Sequence, residues 1–592
     1  WLMLFFVFFL LGFNVITLIQ KTSITLKNSI IFFSIGAGIY FVTQYLYLIF
    51  FQSNSFSSFY FYLTLNTFLF YYNSRKSKVQ FGFKDVNCAN IFAFSIPLIL
   101  FFVLIFAPHI DKGISGSDQY SWLRKTLFLR RNGFVNYKEI EAYPINMVLL
   151  LNSVLSIGNF EIRQIYWIYE LYPFFIIFVI ILTAFLVFSE LFPRNKFLLV
   201  SSTCFVVYFI SLRSRYLGQL PSNLADLFFS IGILIVISSF PKKKMIVGFL
   251  SGIMFLSHPF NGGIELCLFG MFYFLNSLLL KEKTTLQMVN FVVPMLIVSS
   301  VWVLHISILY RSSFVYNYLY YFRAKIPVVR TILNIKVPGF ESLEYKWFLS
   351  RYYWIPLIFV LFPIKQLTKK KKDLIVFAKV SYVVLIVAYQ LRKILNFLHL
   401  WMVYDKISQS YIYPLYFYRI REMIILPFVI MLFFGIDFLI KISTKRLSIL
   451  LEKKLSNKDK FEKTFSKAIS CIVLLFVLFT QITPIQKNPY YISKEGEESA
   501  LYLYEETKGN DIIVSFDKND SNTKYAIRML FEPARIQDYN STSNLSVFLK
   551  QTNIDYFVCS SSSIYYEKLY NGWFGDIVWE LNNESIIVKV KD

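Results

Sequence analysis

Pro108-His-Ile-Asp-Lys-Gly-Ile-Ser-Gly-Ser-Asp-Gln-Tyr-Ser-Trp-Leu-Arg-Lys125 follows directly on an apolar stretch, residues 90–107, and the reading of the whole chain turns on it. A helix crosses the hydrocarbon core of a bilayer with about 17–25 mainly apolar residues, so the polar passage emerges at a membrane surface. Gly116-Ser117 makes a turn, and Asp118 then stands just beyond the preceding helix. A carboxylate placed there is within reach of a lipid head group; it can deprotonate a hydroxyl or hold a divalent cation. It can equally cap the helix that follows. Residues 119–132 mix Arg124, Lys125, Arg130 and Arg131 with Tyr120, Trp122 and Phe128, an amphipathic pattern suited to the interfacial plane.

Working outward, the same apolar signal recurs at 1–19, 30–50, 59–72, 165–188, 197–211, 223–240, 245–257, 264–280, 289–309, 352–367, 374–391, 422–440 and 468–483. With 90–107 this makes about fourteen spans. The first lacks a cleavage-site pattern and reads as a spanning helix rather than a signal peptide. Composition agrees: 56% of the 592 residues are hydrophobic, 20% aromatic and only 16% charged. A soluble chain carries about 25% charge, so an ordinary soluble enzyme is excluded, and so is a disordered protein. The net charge of +24 would fit a nucleic-acid binder, but not in a chain this apolar.

The positive charge reads instead as topology. Lys and Arg cluster at Arg75–Lys78, Lys242–Lys244, Lys281/Lys283, Lys369–Lys372 and across 441–467, all on one side of a fourteen-span chain. The loops of that side hold 26 Lys and Arg in 80 residues, against 21 in 154 for the opposite loops. By the positive-inside rule the first set is cytoplasmic. The loops 108–164, 310–351 and 392–421, and everything after 483, then lie outside.

From Pro484 the pattern changes. Residues 494–507 and 522–531 read as helices and 511–516 and 554–559 as strands, while 576–581 and 585–590 form a hairpin about Asn582-Asn583. This is a small extracytoplasmic α/β domain with a net charge of −5. The glycosylation sequons at Asn519, Asn540, Asn544 and Asn583 all fall in it, which agrees with an outside location or simply reflects an Asn/Ser-rich surface. The five cysteines are scattered and predict neither a disulfide framework nor a zinc site. Walker A, GxGxxG and HExxH patterns are missing.

A membrane helix, an outer loop with Asp118, an amphipathic helix and then Tyr143-Pro-Ile-Asn-Met-Val-Leu-Leu-Leu151 resemble the GT-C superfamily of integral-membrane glycosyltransferases. The resemblance covers about 90–592 and leaves 1–72 as three additional helices. It divides the chain into 1–72, a GT-C-like transmembrane domain over 90–483 with its catalytic outer loop 108–164, and the domain 484–592. It implies sugar transfer from a polyprenyl-phosphate-linked donor with inversion, to a lipid, glycan or protein acceptor, by a hexosyl- or pentosyltransferase. The catalytic acid of the first outer loop maps onto Asp118, with Asp111 as the other candidate; the implied cofactor is at most a divalent cation, Mg or Mn, on Asp118. The tail departs from oligosaccharyltransferase catalytic subunits, because Gly572-Trp-Phe-Gly-Asp576 is not their Trp-Trp-Asp-Tyr-Gly motif. That puts transfer of a whole oligosaccharide to Asn in doubt.

Other residues on the outer side fit a phosphate-bearing donor. They are Arg213 and Arg215 at a helix end, His258 in a His-Pro break that resembles one in archaeal relatives, and Arg419 and Arg421 before the span 422–440. Arginine forks suit phosphate, although each also reads as an interfacial anchor and His258 as an ordinary helix-end residue. Asp226, Glu265 and Glu170 lie within about a turn of the outer ends of their helices, where a charge costs roughly 2.5–3.5 kcal/mol on insertion scales. They read as ties between helices or as the lining of an outward cavity. A transporter or flippase of lipid-linked sugars would instead need charges near mid-membrane, and a non-catalytic envelope scaffold would need none of this set.

Overall fold

The structure, a computed structural model, describes residues 1–19, 23–51, 57–77, 80–81, 88–109, 117–132, 145–158, 160–211, 221–238, 240, 242–279, 284–310, 355–363, 367–397, 403–405, 410–412, 425–451, 458–480, 494–507, 513–517, 527, 536–539, 545, 548, 554–560, 575–581 and 585–590.

Helices dominate it. They are α1 (Leu2–Ile19), α2 (Leu26–Phe51), α3 (Ser57–Ser77), α4 (Cys88–Phe101), α5 (Ser117–Asn132), α6 (Asn146–Leu155), α7 (Ile162–Glu170), α8 (Tyr172–Leu191) and α9 (Lys196–Ser211). There follow α10 (Pro221–Val236), α11 (Lys243–Ser257), α12 (Pro259–Leu279), α13 (Thr284–Tyr310), α14 (Ile355–Val360), α15 (Lys369–Phe397), α16 (Ile425–Leu450), α17 (Lys458–Thr480) and α18 (Lys494–Thr507). Among the described residues, four stretches are long and apolar enough to cross a membrane: Leu26–Phe50, Cys88–Phe106, Ile162–Leu191 and Ile425–Leu450. Shorter apolar helices accompany them. Large side chains such as Phe92, Ile99, Leu296, Ile297, Phe476 and Phe479 stay exposed, as a lipid-facing surface requires. The chain is an integral membrane protein, mostly helical.

Two expected spans differ in detail. The stretch 165–188 is broken at Leu171 into α7 and α8. Pro173 has no N–H to continue the ladder, so the turn restarts from Leu171, whose carbonyl accepts from Phe175 N (3.1 Å). The stretch 352–367 is helical only over Ile355–Val360 among its described residues and turns before Pro363. At its outer end α4 continues through a π-helical turn, Phe102–Phe106, with Ala107 N donating to Phe102 O at 2.8 Å.

Polar contacts sort the helix ends into two sets. At the end carrying the lysine clusters, Lys27 Nζ meets Glu190 Oε1 at 2.6 Å and Lys243 Nζ meets Asp373 Oδ2 at 3.2 Å. At this end also Lys371 Nζ donates to Leu191 O at 2.7 Å. The short strands β1 (Ser23–Ile24) and β2 (Gln80–Phe81) pair there too. At the opposite end Trp1 Nε1 donates to Ile168 O (3.2 Å) and Tyr60 Oη to Ile157 O (2.5 Å). Each pair joins groups that the Lys and Arg count assigns to the same side of the membrane.

The tail builds a five-stranded mixed sheet of order β6-β5-β7-β9-β8, from β5 (Val514–Asp517), β6 (Ile536–Tyr539), β7 (Tyr556–Ser560), β8 (Gly575–Leu581) and β9 (Ser585–Val590). The strands β6, β5 and β7 run parallel; β9 and β8 form the antiparallel hairpin. Alternate residues fill both faces. Val514, Phe516, Val558 and Ile587 pack in the core that includes Ala500, Leu501 and Leu503 of α18. Tyr539, Phe557, Cys559 and Val588 pack on the other face with Leu545 and Ile554. The expected helix 522–531, apart from Ile527, and the asparagines of all four sequons lie outside the described residues. A hairpin not expected from the sequence, β3 (Val403–Asp405) with β4 (Ser410–Ile412), stands in the loop 392–421.

Candidate functional site

The outer ends of α10, α11 and α12 meet in a buried polar junction. Every residue of α10 is buried, including Ser222, Asn223, Asp226 and Ser230. Ser222, Asp226 and Ser230 recur every four residues and so share one helix face. The facing helix α12 carries Asn261 and Glu265, again four apart and both fully buried. Asn261 Nδ2 donates to Asp226 Oδ1 at 3.3 Å and ties the two faces together.

His258 stands at the corner between α11 and α12. Its backbone N–H closes α11 on Met254 O (2.9 Å), and its carbonyl accepts the first α12 bond from Gly262 N (2.8 Å). Its ring Nδ1 accepts from Asn261 N at 3.1 Å. The sequence dictates this locally. His258 is the capping residue, Pro259 occupies the first helical position where no N–H is needed, and Asn261 is the third residue whose amide requires an acceptor. With Nδ1 accepting, the neutral ring carries its proton on Nε2, which is therefore a donor. The helix-end reading of His258 holds, and it fixes the tautomer left for any second role.

The corner is tight. A Cβ on Gly262 would fall within 3.0 Å of the backbone of Met254 and Phe255, whereas one on the adjacent Gly263 would meet nothing within 4 Å. From the other side Asn146, the first residue of α6, donates from Nδ2 to Ser257 Oγ at 3.4 Å. Among the described residues, Asn146 Oδ1 and Asn261 Oδ1 are buried without a hydrogen-bond partner. In α8, Tyr172 lies close enough to Asp226 to interact with its charge.

Asp118 is the second residue of α5, one position inside the helix rather than at the capping position before it. The helix packs on α6, where Arg130 Nη1 donates to Leu155 O at 2.7 Å. Burial lowers the Arg130 pKa from its ordinary value. The amphipathic segment does form a helix, but it buries Trp122, Leu123, Thr126, Leu127 and Leu129 in protein, and Lys125 lies over the Trp122 ring at 4.4 Å. Its buried face, at least, is occupied by α6 and its neighbours rather than by lipid.

Of the candidates named from sequence, His258, Asp226 and Glu265 fall at this junction; α5, the helix that bears Asp118, packs on α6, whose first residue Asn146 meets it. Glu170 closes α7 beside the break at Leu171. Asp111, Arg213, Arg215, Arg419 and Arg421 lie outside the described residues, as does the side chain of Asp118. Among the described residues no group of three or more His, Cys, Asp and Glu forms a cation cage. Sequence reasoning missed Asn261, Asn146 and Tyr172. Asn261 was findable, since His-Pro-x-Asn is a capping pattern and Asn261 precedes Glu265 by one turn.

It also missed Arg163 on α7. Its Nε donates to Glu505 Oε1 and Oε2 (2.9 and 3.0 Å) and its Nη1 to Glu498 Oε2 (3.0 Å), which docks α18 against α7. The C-terminal unit therefore meets the membrane helices at the same end as the polar junction.

The fold and junction together define a polytopic helical membrane protein with a polar site at one end and an α/β unit docked beside it. No protein-family model matches the chain, and no curated protein matches it in sequence. The structure is similar to ArnT from Cupriavidus metallidurans bound to undecaprenyl phosphate, at 10% identity and a TM-score of 0.43, over 84% of this chain and 97% of that one. It is also similar to the oligosaccharyltransferase AglB from Archaeoglobus fulgidus in complex with an inhibitory peptide and a dolichol-phosphate. There the identity is 11% and the TM-score 0.41, over 84% of this chain and 76% of that one.

Proposed function

We propose that the chain is a multi-pass glycosyltransferase of GT-C type, with about fourteen spans, that transfers a sugar from a polyprenyl-phosphate-linked donor to an acceptor on the extracytoplasmic face. Residues 1–72 are three added helices, 90–483 the catalytic membrane domain and 484–592 an extracytoplasmic α/β domain beside the site. One observation carries the reading. The buried polar groups Asp226, His258, Asn261 and Glu265 gather at the end opposite the lysine clusters, and the helix that bears Asp118 packs through α6 onto the same place.

In this reading Asp118, or Asp111 in its stead, takes the proton from the acceptor hydroxyl. The acceptor oxygen attacks the anomeric carbon from the side opposite the phosphate. The carbon–oxygen bond to the phosphate breaks, the electron pair leaves with polyprenyl phosphate, and the anomeric configuration inverts. Arg213, Arg215, Arg419 and Arg421 hold the donor phosphate, and the Nε2–H of His258 donates to one of its oxygens. Asp118 is also the residue that would hold a divalent cation, Mg or Mn, whose chemistry would be to screen the leaving phosphate.

The test is transfer from a lipid-linked sugar by Asp118→Asn in membranes. Loss of a positioned base lowers the rate by about 10²–10⁴-fold. Undiminished transfer by a correctly folded variant would sink the assignment.

A further inference from the structure

At the basic end, three carboxylates stand on α8, α15 and α16, and each is already engaged. Glu190 holds Lys27, Asp373 holds Lys243, and Asp437 holds Lys441 at 2.5 Å. Around them stand six more cations: Arg194 just after α8, Lys369, Lys370 and Lys372 in the first turn of α15, and Lys445 and Arg446 on α16. All but the half-buried Lys372 are exposed. Among the described residues, none of the six has an acidic partner.

The helices that carry these cations adjoin one another. The helices α15 and α16 pack on each other, and both touch α8. Lys371 lies among these charges, near Lys441, Arg194, Asp437 and Glu190. Burial lowers its pKa from the ordinary lysine value, and the neighbouring charges of Lys441 and Arg194 add to that against Asp437 and Glu190. Exposed apolar side chains continue along α16, with Ile442 (36% exposed) about one turn and Leu439 (46%) about two turns before Lys445 and Arg446. A soluble anion matches the cations alone. A phospholipid matches both parts, head group to lysines and acyl chain to Leu439 and Ile442.

We propose that this face of α8, α15 and α16 binds anionic phospholipid head groups from the adjoining leaflet. The inference stands independently of the transfer reaction. The full-length protein is placed in nanodiscs of phosphatidylcholine alone or with one fifth phosphatidylglycerol, and thermal unfolding and retained lipid are measured, the latter by native mass spectrometry. The wild type gains thermal stability and retains phosphatidylglycerol preferentially, and both effects fade at high salt. The combined variant Lys369→Gln, Lys370→Gln, Lys372→Gln, Lys445→Gln loses at least tenfold of that preference. Arg163→Gln, a charge change at the opposite end, keeps it. Should the quadruple variant fold poorly, Lys445→Gln with Arg446→Gln gives the same readout from exposed positions. The proposal falls if the wild type shows no preference, if the glutamine variants retain phosphatidylglycerol like the wild type, or if inorganic phosphate in neutral nanodiscs stabilises the protein equally.

Discussion

Gly262 and Gly263 are neighbours in the first turn of α12, and the structure requires opposite outcomes when each becomes alanine. At Gly263 a Cβ enters open space. Alanine there should be neutral or stabilising, by up to about 1 kcal/mol, because it removes the entropic penalty of glycine in a helix. At Gly262 the added carbon would lie under 3.0 Å from the backbone carbonyl of Met254 and the amide of Phe255. Ordinary contact begins at 3.4 Å, and here the obstacle is backbone rather than the end of a flexible side chain. The corner must open, costing about 1–3 kcal/mol as for other overpacked interiors. Opening it also moves Asn261, which spans only 3.1 Å to His258 Nδ1 and 3.3 Å to Asp226. Gly262→Ala should therefore lose thermal stability in detergent and lose transfer activity together, while Gly263→Ala keeps both. Equal stability of the two variants would refute the packing of α12 on α11 and the placement of Asn261 that follows from it.

Further substitutions separate structural from chemical roles. His258→Ala removes the acceptor for Asn261 N and should cost about 1 kcal/mol; His258→Asn restores a cap and most of the stability but lacks Nε2–H, so transfer stays low in both. Arg163→Gln breaks the contacts with Glu498 and Glu505, which are partly exposed, so global stability should fall by less than about 1 kcal/mol. Its readout is faster amide exchange in α18, most marked at low salt. Asn14 donates to Asn66 O at 2.8 Å and accepts from Asn73 Nδ2 at 3.2 Å, linking α1 to α3. Asn14→Leu should cost about 1 kcal/mol, as interhelical hydrogen bonds in membranes do, measured as lowered resistance to SDS unfolding.

The helices were legible because a spanning segment must satisfy its own backbone and so shows itself as an apolar run. The helix 494–507 and the hairpin strands were legible for the opposite reason, since local alternation suffices where turns are short. The strand β6, Ile536–Tyr539, was not. Four residues with two polar ones carry no period, and its place beside β5 is a long-range pairing. The break at Leu171 was readable in Pro173, but an apolar run 165–188 outweighs one proline. At the site, the sequence could name His258, Asp226 and Glu265 but not their bridge. A lone asparagine in a His-Pro-Phe-Asn-Gly-Gly turn looks like loop chemistry until α10 is placed against it.

The two ends of the bundle bear on why these polar groups are kept. At the basic end Glu190, one residue from the end of α8 and 31% exposed, meets Lys27 where an ion pair forms with little loss of hydration. At the other end Asp226 is 6% exposed and Glu265 not at all. A carboxylate inside a membrane helix carries a cost of about 2.5–3.5 kcal/mol on insertion scales. If helix-tying were the whole role, an apolar pair would tie α10 to α12 as well, because filling such a site with well-packed hydrophobic groups is commonly neutral or stabilising. The pairing of Asp226 with Asn261 therefore gives a direct discriminator. Asp226→Leu with Asn261→Leu should fold at least as stably as the wild type if the junction is a structural tie, and should do so with transfer abolished if the junction serves the reaction. Full transfer by the stable double variant would assign the junction to architecture and leave the chemistry to the outer loop alone.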